Sequence, residues 1–170
     1  MATKNPKSKT QNSGFTLIEL IIYLAIVSII LVSISYLTID LISGQSSSQA
    51  DQELIYGFNF ITATLIKDIR LAQDITSLSS GVLALTMPGD DVTYSFDLSN
   101  KKLTRQIGAA VADLHSDAIE VTGSFSDRSY LGRAKNVGVD LSLNYKNPDN
   151  LPQYNASTTA SFSVELRGRR

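Results

Sequence analysis

The longest apolar run in the chain begins close to its N-terminus. After Glu19 the next charged residue is Asp40, so 20 consecutive positions carry no charge. A helix of about 20 apolar residues is long enough to cross the core of a bilayer. Residues 15–42 are apolar on every side of the predicted helix, which is typical of a membrane or buried helix. Hydroxyls within this run can bond back to helix carbonyls: Ser28, Ser33 and Ser35.

A second helical pattern follows a stretch of low helix propensity. Residues 43–48 read Ser-Gly-Gln-Ser-Ser-Ser, which indicates either a flexible joint or a weakly held part of one long helix. Beyond them, apolar residues recur at spacings of three and four, which predicts an amphipathic helix from about Ser48 to Thr76. The stripe consists of Leu54, Phe58, Ile61, Leu65, Ile69 and Ala72. Off the stripe lie Lys67, Asp68, Arg70 and Gln73.

After Gly81 the apolar period changes from helical to two, which predicts strands. Leu83, Leu85 and Met87 mark the first strand, and a turn at residues 88–91 follows it. The next strand is marked by Tyr94, Phe96 and Leu98, and the one after residues 99–102 by Leu103 and Ile107.

The C-terminal third is less regular at first and then contains the clearest strand. Residues 118–121 and 124–125 are predicted as short strands, and residues 126–136 as a loop. Alternation over residues 137–145 predicts a strand, and residues 160–166 its partner across an Asn- and Pro-rich loop. Consecutive strands with short turns favour antiparallel pairing. The predicted fold is α+β, with the helix stripe packed on one face of an antiparallel sheet.

Glu19 is an anomaly, because a charged side chain in a membrane segment costs about 2.5–3.5 kcal/mol and usually marks a function. Before it, Lys4, Lys7 and Lys9 form a basic leader without acids, which ends in Ser13-Gly14-Phe15-Thr16-Leu17-Ile18-Glu19-Leu20. This segment resembles the N-terminal segment of type IV prepilins and type II secretion pseudopilins. The resemblance covers residues 13–34 and is specific, since junction, aromatic residue, acid and apolar run must all be in register.

The resemblance implies a processing and assembly mechanism. Gly14 would end the leader, and a membrane prepilin peptidase would cleave after it and N-methylate Phe15, the new N-terminus. Glu19, the fifth residue of the processed chain, would then pair with the Phe15 ammonium of a neighbouring subunit. The alternative for Glu19 is an interfacial acid whose carboxylate snorkels to the membrane surface. Implied partners are other pilins or pseudopilins and the inner-membrane assembly platform, with the head outside the inner membrane.

The pattern after the membrane segment also resembles the J-type minor pseudopilins and similar large minor pilins. The resemblance is carried by residues 65–72, Tyr94-Ser95-Phe96 and a last strand ending Val164-Glu165-Leu166-Arg167. The prepilin resemblance and the residue patterns together predict a cleaved leader (residues 1–14), an assembly helix (15–42), a joint with an amphipathic helix (43–80) and a β-sheet head (81–170). The filament stays open: a secretion pseudopilus, an adhesion or motility pilus, or a DNA-uptake (competence) pilus.

Two other uses of the apolar run remain open. An ordinary secretory signal has a basic and an apolar region, but its apolar part is usually 7–15 residues and ends at a small-residue cleavage site. Ser33-Ile34-Ser35 is the nearest approach to such a site. A plain signal anchor would make the chain a non-polymerising binding or adhesion module. In either membrane-anchored form, the lysines before the span predict that the N-terminus stays inside.

Composition narrows the remaining classes. The net charge is −1, and without the three leader lysines 12 basic residues face 16 acidic ones, giving −4. This balance argues against a nucleic-acid partner, which requires a basic surface. With no cysteine in 170 residues, neither a disulfide nor a thiolate metal site is possible, so core packing must hold the head together.

No residue pattern predicts an enzyme. His115 is the only histidine and is interpreted as a solvated or hydrogen-bonded loop residue. Asp90-Asp91 and residues 147–150 are oxygen-rich turns, the kind of loop that can hold structural calcium, which takes six to eight oxygen ligands. Neither has the EF-hand spacing, and turn chemistry explains both. Asn155-Ala156-Ser157 is a chance match to a glycosylation sequon. A solvated basic tail is predicted at Arg167, Arg169 and Arg170.

Overall fold

The computed structural model describes residues 15–130 and 135–167. The chain divides into two compact units, residues 1–42 and residues 43–170. One helix, α1 (Leu17–Leu71), contributes to both units. Residues 43–48 are helical, so the second of the two alternatives for this stretch is the one observed.

The first unit contains the apolar part of α1. Every described residue from Phe15 to Ile42 is exposed except Glu19, which is half-buried. By length and composition α1 can cross a membrane, with a mean hydropathy of 2.8 over its most apolar window. The predicted back-bonding of hydroxyls is confirmed: Ser28 Oγ donates to Leu24 O (2.7 Å), Ser33 Oγ to Ile29 O (2.9 Å) and Ser35 Oγ to Leu31 O (2.8 Å).

In the second unit, the predicted stripe of α1 faces the core. Its residues are buried, apart from Phe58, which is partly buried against the same cluster: Leu54, Ile61, Leu65, Ile69 and Ala72. A helix that buries one stripe in this way takes most of its stability from packing rather than from propensity.

Two predictions about this helix are wrong. It ends at Leu71 rather than at about Thr76, and residues Asp74–Leu78 form a strand instead. Asp68 does not lie off the buried face, because it is only 3% exposed. Its position, seven residues after Ile61 and three after Leu65, places it within the stripe.

The first sheet is an antiparallel meander of five strands. Each strand pairs with the next along the chain, so the sheet order equals the chain order. Three of the strands were predicted; the first and the last of the five were not. The strands are β1 (Asp74–Leu78), β2 (Val82–Thr86), β3 (Val92–Asp97), β4 (Lys102–Ile107) and β5 (Ala110–Asp113).

The second sheet has three antiparallel strands, β6 (Ile119–Asp127), β7 (Asn136–Tyr145) and β8 (Ser157–Glu165), in that order. The predicted pairing of the last two strands is confirmed, with Val139 opposite Phe162. The prediction of two short strands and a loop from residue 126 is wrong, because β6 is continuous over nine residues. A short 3-10 helix, Pro152–Tyr154, lies in the loop before β8.

The described part of the head contains two sheets where the sequence predicted one, and β6 joins them. Val121 N–H donates to Lys101 O (2.7 Å), and Phe125 N–H to Ser80 O (2.9 Å). At the same junction the Phe96 and Phe125 rings lie 4.8 Å apart between centroids. Side chains from α1 and from both sheets form one core cluster. The predicted α+β class, a long helix packed on antiparallel sheet structure, is confirmed.

Candidate functional site

The candidate site lies in the first turns of α1 and begins with a helix cap. Glu19 N–H donates to Thr16 Oγ1 at 3.3 Å, and Leu20 N–H donates to Thr16 O at 3.2 Å. Thr16 thus acts as the N-cap and Glu19 occupies the third helical position, the Thr-x-x-Glu pattern of a capping box. The cap fixes Glu19 in the first turn, where the positive end of the helix dipole favours a carboxylate.

The Glu19 carboxylate has a partner that sequence reasoning missed. Tyr23 Oη donates a hydrogen bond to Glu19 Oε1 at 3.3 Å. The spacing of four residues places both side chains on one face of the helix, and this spacing was the signal available in the sequence. The Tyr23 ring also lies 6.0 Å from the Phe15 ring, at an interplanar angle of 58°.

These contacts bring three of the N-terminal residues together at one side of the helix. Phe15 itself is 74% exposed, so its ring contacts Tyr23 without being covered. Gly14, the predicted cleavage residue, lies outside the described residues. What the arrangement offers is one carboxylate, which accepts from a phenol and belongs to a residue whose backbone is capped, at the start of a run of 20 uncharged residues.

His115 is bonded to backbone groups on both ring nitrogens. Leu103 N–H donates to Nε2 at 3.4 Å, and Nδ1 lies 2.9 Å from Ser116 O. One neutral tautomer satisfies both contacts, with Nδ1–H donating and Nε2 accepting. The neighbouring Ser116 hydroxyl donates to Glu53 rather than to the imidazole, at 2.5 Å. The interpretation as a hydrogen-bonded loop histidine is confirmed.

In each oxygen-rich turn one residue has its side-chain oxygen bonded within the chain. Asp91 Oδ1 accepts from Met87 N–H at 3.3 Å. Asn147 closes the second of these turns, at residues 147–150. Its Oδ1 accepts from Leu151 N–H at 2.9 Å, and its Nδ2 donates to Asn155 Oδ1 at 2.7 Å. Among residues 15–130 and 135–167, no three His, Cys, Asp or Glu side chains are grouped to hold a metal ion.

The predicted basic tail falls only partly within the described chain. Arg167 is exposed, and its N–H donates to Arg70 O at 3.2 Å, so the second residue after the last strand is bonded to the end of α1. Arg169 and Arg170 lie outside the described residues.

Asn155, of the sequon, is exposed as well as bonded to Asn147.

Sequence reasoning also missed a buried polar cluster in the head. Asp68 Oδ2 accepts from Tyr94 Oη at 2.6 Å, from Arg105 Nε at 2.8 Å and from Arg105 Nη2 at 2.6 Å. Burial raises the pKa of Tyr94 far above its ordinary value, and the neighbouring Asp68 raises it further. Partial burial lowers the pKa of Arg105, but hydrogen bonds to Asp68 and Tyr94 outweigh it and raise that pKa overall. This cluster joins α1 to β3 and β4. Because the Asp68 carboxylate and the Arg105 cation are paired with each other, we interpret the cluster as structural.

Comparison with known proteins identifies the N-terminal segment. Residues 9–35 match the model of the prokaryotic N-terminal methylation motif, and this range contains Gly14, Phe15 and Glu19. The match confirms a type IV pilin-like prepilin segment; together with the apolar start of α1, it fits a protein anchored in the inner membrane. It does not extend to the residues that carried the J-type resemblance. No curated protein and no solved structure matches the chain.

Proposed function

We propose that this chain, which carries a type IV pilin-like prepilin segment, is a non-enzymatic structural subunit of a type IV pilus or type II secretion pseudopilus. One observation carries the proposal. The apolar surface of residues 15–42 has a single acid in its first turn, four residues after the predicted new N-terminus at Phe15. Proteins of the methylation-motif type are structural rather than catalytic, which supports a role in assembly.

The mechanism follows from charge pairing in apolar surroundings. Cleavage after Gly14 creates an α-ammonium on Phe15, and N-methylation leaves that amine protonated. The Glu19 carboxylate of one subunit then pairs with the Phe15 ammonium of its neighbour when the apolar helices pack side by side. A buried charge without its partner costs about 3–5 kcal/mol, so only the register that joins the two groups is tolerated.

Exposed apolar side chains on the second part of α1 give further support. Tyr56 and Phe60 are 71% and 59% exposed and, four residues apart, lie on the same face of the helix. Large apolar side chains grouped on a surface indicate contact with another protein. Helices of other subunits packed along this side would cover them.

The charge distribution sets the orientation of the proposed subunit. The leader carries three lysines and no acid, whereas the chain after Gly14 has a net charge of −4. Lysines beside a span favour the cytoplasmic side, so the N-terminus stays inside and the head faces outside. In the inner membrane the partners of the subunit would be a prepilin peptidase, the assembly platform and other pilins or pseudopilins.

The proposal is tested with Glu19→Ala in the native host. The neighbour's ammonium would then stay unpaired, so incorporation into sheared filaments should fall about 100-fold, in line with a loss of about 3 kcal/mol. Membrane insertion and cleavage should be unchanged. Fractionation measures the insertion, and intact mass should show a processed chain that starts at Phe15 and carries one added methyl group.

The matched control is Asp40→Ala, which removes the acid at the other end of the same uncharged run. This variant should incorporate like the wild type. Normal incorporation of Glu19→Ala would refute the pairing mechanism. An unprocessed chain in a host with an active peptidase would instead favour the anchored binding or adhesion module.

A further inference from the structure

Within residues 43–130 and 135–167, the two sheets of the head have four edge strands: β1, β5, β6 and β8. An edge strand presents unpaired backbone N–H and C=O groups, and proteins usually protect it with bulges, short length, charge or a covering segment.

Three of the four edges are protected. The register of β1 shifts between Ile75 and Ser77, and Lys135 forms an ion pair with Asp74 at its start. The strand β5 has only four residues. The outer side of β6 is already bonded to the first sheet, through Val121 N–H and Phe125 N–H.

The fourth edge, β8, is long and has none of these devices over its nine residues; the first outward N–H that α1 covers is that of Arg167, beyond the end of the strand. Its nine residues, Ser-Thr-Thr-Ala-Ser-Phe-Ser-Val-Glu, include no Lys, Arg or Pro, and its only charge is at the last position. Its register with β7 is continuous from Ser157 to Glu165, without a bulge. Ser157, Thr159, Ser161 and Ser163 are all exposed.

The hydrogen-bond pattern shows which backbone groups point away from β7. In continuation of the same register, Tyr145 N–H donates to Ala156 O and Leu166 N–H donates to Lys135 O. Because bonding alternates along an antiparallel ladder, even-numbered residues of β8 face β7 and odd-numbered residues direct their N–H and C=O outward. Within the described chain, no backbone hydrogen bond reaches these outward groups.

We propose that β8 pairs with β8 of a second copy of this chain, antiparallel and centred on Ser161, so that two three-stranded sheets join into one of six strands. Centring on Ser161 uses all nine residues and places odd positions opposite odd ones. Phe162, which is half-buried, then lies opposite Ala160 of the other copy, and Glu165 opposite Ser157.

Self-complementarity is what selects a second copy as the partner. In this register hydroxyl side chains meet hydroxyl side chains on the outer face, and no two like charges are opposed, an arrangement that would be unfavourable. A single strand pair is a small contact for a stable complex in solution. Two copies anchored in the same membrane have a raised effective concentration, which favours pairing there. The inference is independent of cleavage after Gly14.

The absence of cysteine allows a direct test in the membrane of the expressing host. Opposite residues of an antiparallel pair have Cα atoms about 5.5 Å apart, within the range that a disulfide spans. Ser161→Cys should therefore give a disulfide-linked dimer on mild oxidation. Ser157→Cys is the matched control, because it is on the same exposed edge but would lie about 27 Å from its copy, eight residues away.

We expect at least ten-fold more dimer from Ser161→Cys than from Ser157→Cys, with unchanged thermal unfolding of both. Equal yields would overturn the proposal, and so would a Ser161→Cys product with the mass of a different protein.

Charges introduced at the opposed positions 159 and 163 provide a second test in the Ser161→Cys background. Thr159→Lys with Ser163→Lys should abolish the dimer, because like charges then face each other twice. Thr159→Lys with Ser163→Glu should retain it. A dimer that persists equally in both variants would exclude pairing about Ser161.

Discussion

Single side chains with polar groups are held in two contrasting surroundings. In the head, Tyr94 is fully buried and donates to a carboxylate that also binds Arg105. In the apolar part of α1, Tyr23 is 51% exposed and donates to Glu19 across one helical turn. The Tyr94 phenol lies in the core of the head, whereas the Tyr23 phenol lies on a surface that the proposed assembly would cover.

Stability at alkaline pH should depend on Tyr94. Its pKa is raised by burial and by Asp68, whereas a tyrosine in the unfolded chain titrates near 10. The native state thus keeps a proton that the unfolded state releases, so the contribution is fully present below about pH 10 and declines above it. The expected loss is about 1.4 kcal/mol per pH unit.

Tyr94→Phe should remove this pH dependence while costing about 1.5–3 kcal/mol at neutral pH for the lost bond to a charged group. The measurement is denaturant unfolding of the full chain in detergent, followed by circular dichroism between pH 8 and about 11. Parallel curves for the wild type and the variant would contradict the assignment.

For Tyr23, the expected effect is on assembly. Tyr23→Phe keeps the ring that contacts Phe15 but removes the donor to Glu19, which leaves one carboxylate oxygen less well satisfied in apolar surroundings. Incorporation into filaments should fall about ten-fold, equivalent to roughly 1.4 kcal/mol. Tyr36→Phe, at an exposed tyrosine of the same apolar run, is the control. If both variants assemble equally, the Tyr23 hydroxyl has no part in presenting Glu19.

At the scale of elements, the junction of the two sheets depends on close approach at β6. The Phe96 ring lies over Gly123, and a Cβ atom there would be 2.7 Å from Phe96 Cζ and would also collide with the carbonyl oxygen of Asp140. A backbone carbonyl cannot move aside as a flexible side chain can. The absence of a side chain at this position therefore lets β6 contact both sheets.

Gly123→Ala should therefore destabilise the head by about 1–3 kcal/mol, the usual cost of overpacking a core. Gly89→Ala is the matched control, since no atom lies within 4 Å of a Cβ built there. Thermal unfolding of both variants measures the difference. A Gly123→Ala protein as stable as the Gly89→Ala protein would show that the junction can relax.

For the whole molecule, the sequence was most informative where one period persists over many residues. The stripe from Leu54 to Ala72 and the alternation over residues 137–145 correctly predicted a helix on antiparallel strands. The short strands β1 and β5 were missed because none of their residues is buried, so no alternation of buried and exposed positions is visible. The division into two sheets depends on contacts between distant segments, such as Phe125 with Ser80, which no local pattern encodes.

The candidate site shows the same limit. The cleavage junction and the role of the acid were predicted from the fixed spacing of the segment that the chain resembles, and both stay predictions. Tyr23 was overlooked because, within an apolar run, its hydroxyl adds nothing to the hydropathy pattern. Asp68 was misplaced because its charge suggested the solvent side, and its partners Tyr94 and Arg105 lie 26 and 37 residues away.

The buried carboxylate of Asp68 also distinguishes between alternative alignments of α1. Ile61, Leu65 and Ile69 are four residues apart, so a slip of one turn, about 5.4 Å, would exchange one apolar side chain for another of similar size. The same slip would put Thr64 where Asp68 is and leave the Arg105 cation without its carboxylate. The apolar side chains of the stripe can replace one another after such a slip, whereas the buried carboxylate has no equivalent one turn away. We therefore expect Asp68 to determine the alignment of α1 more than it adds to the free energy of unfolding.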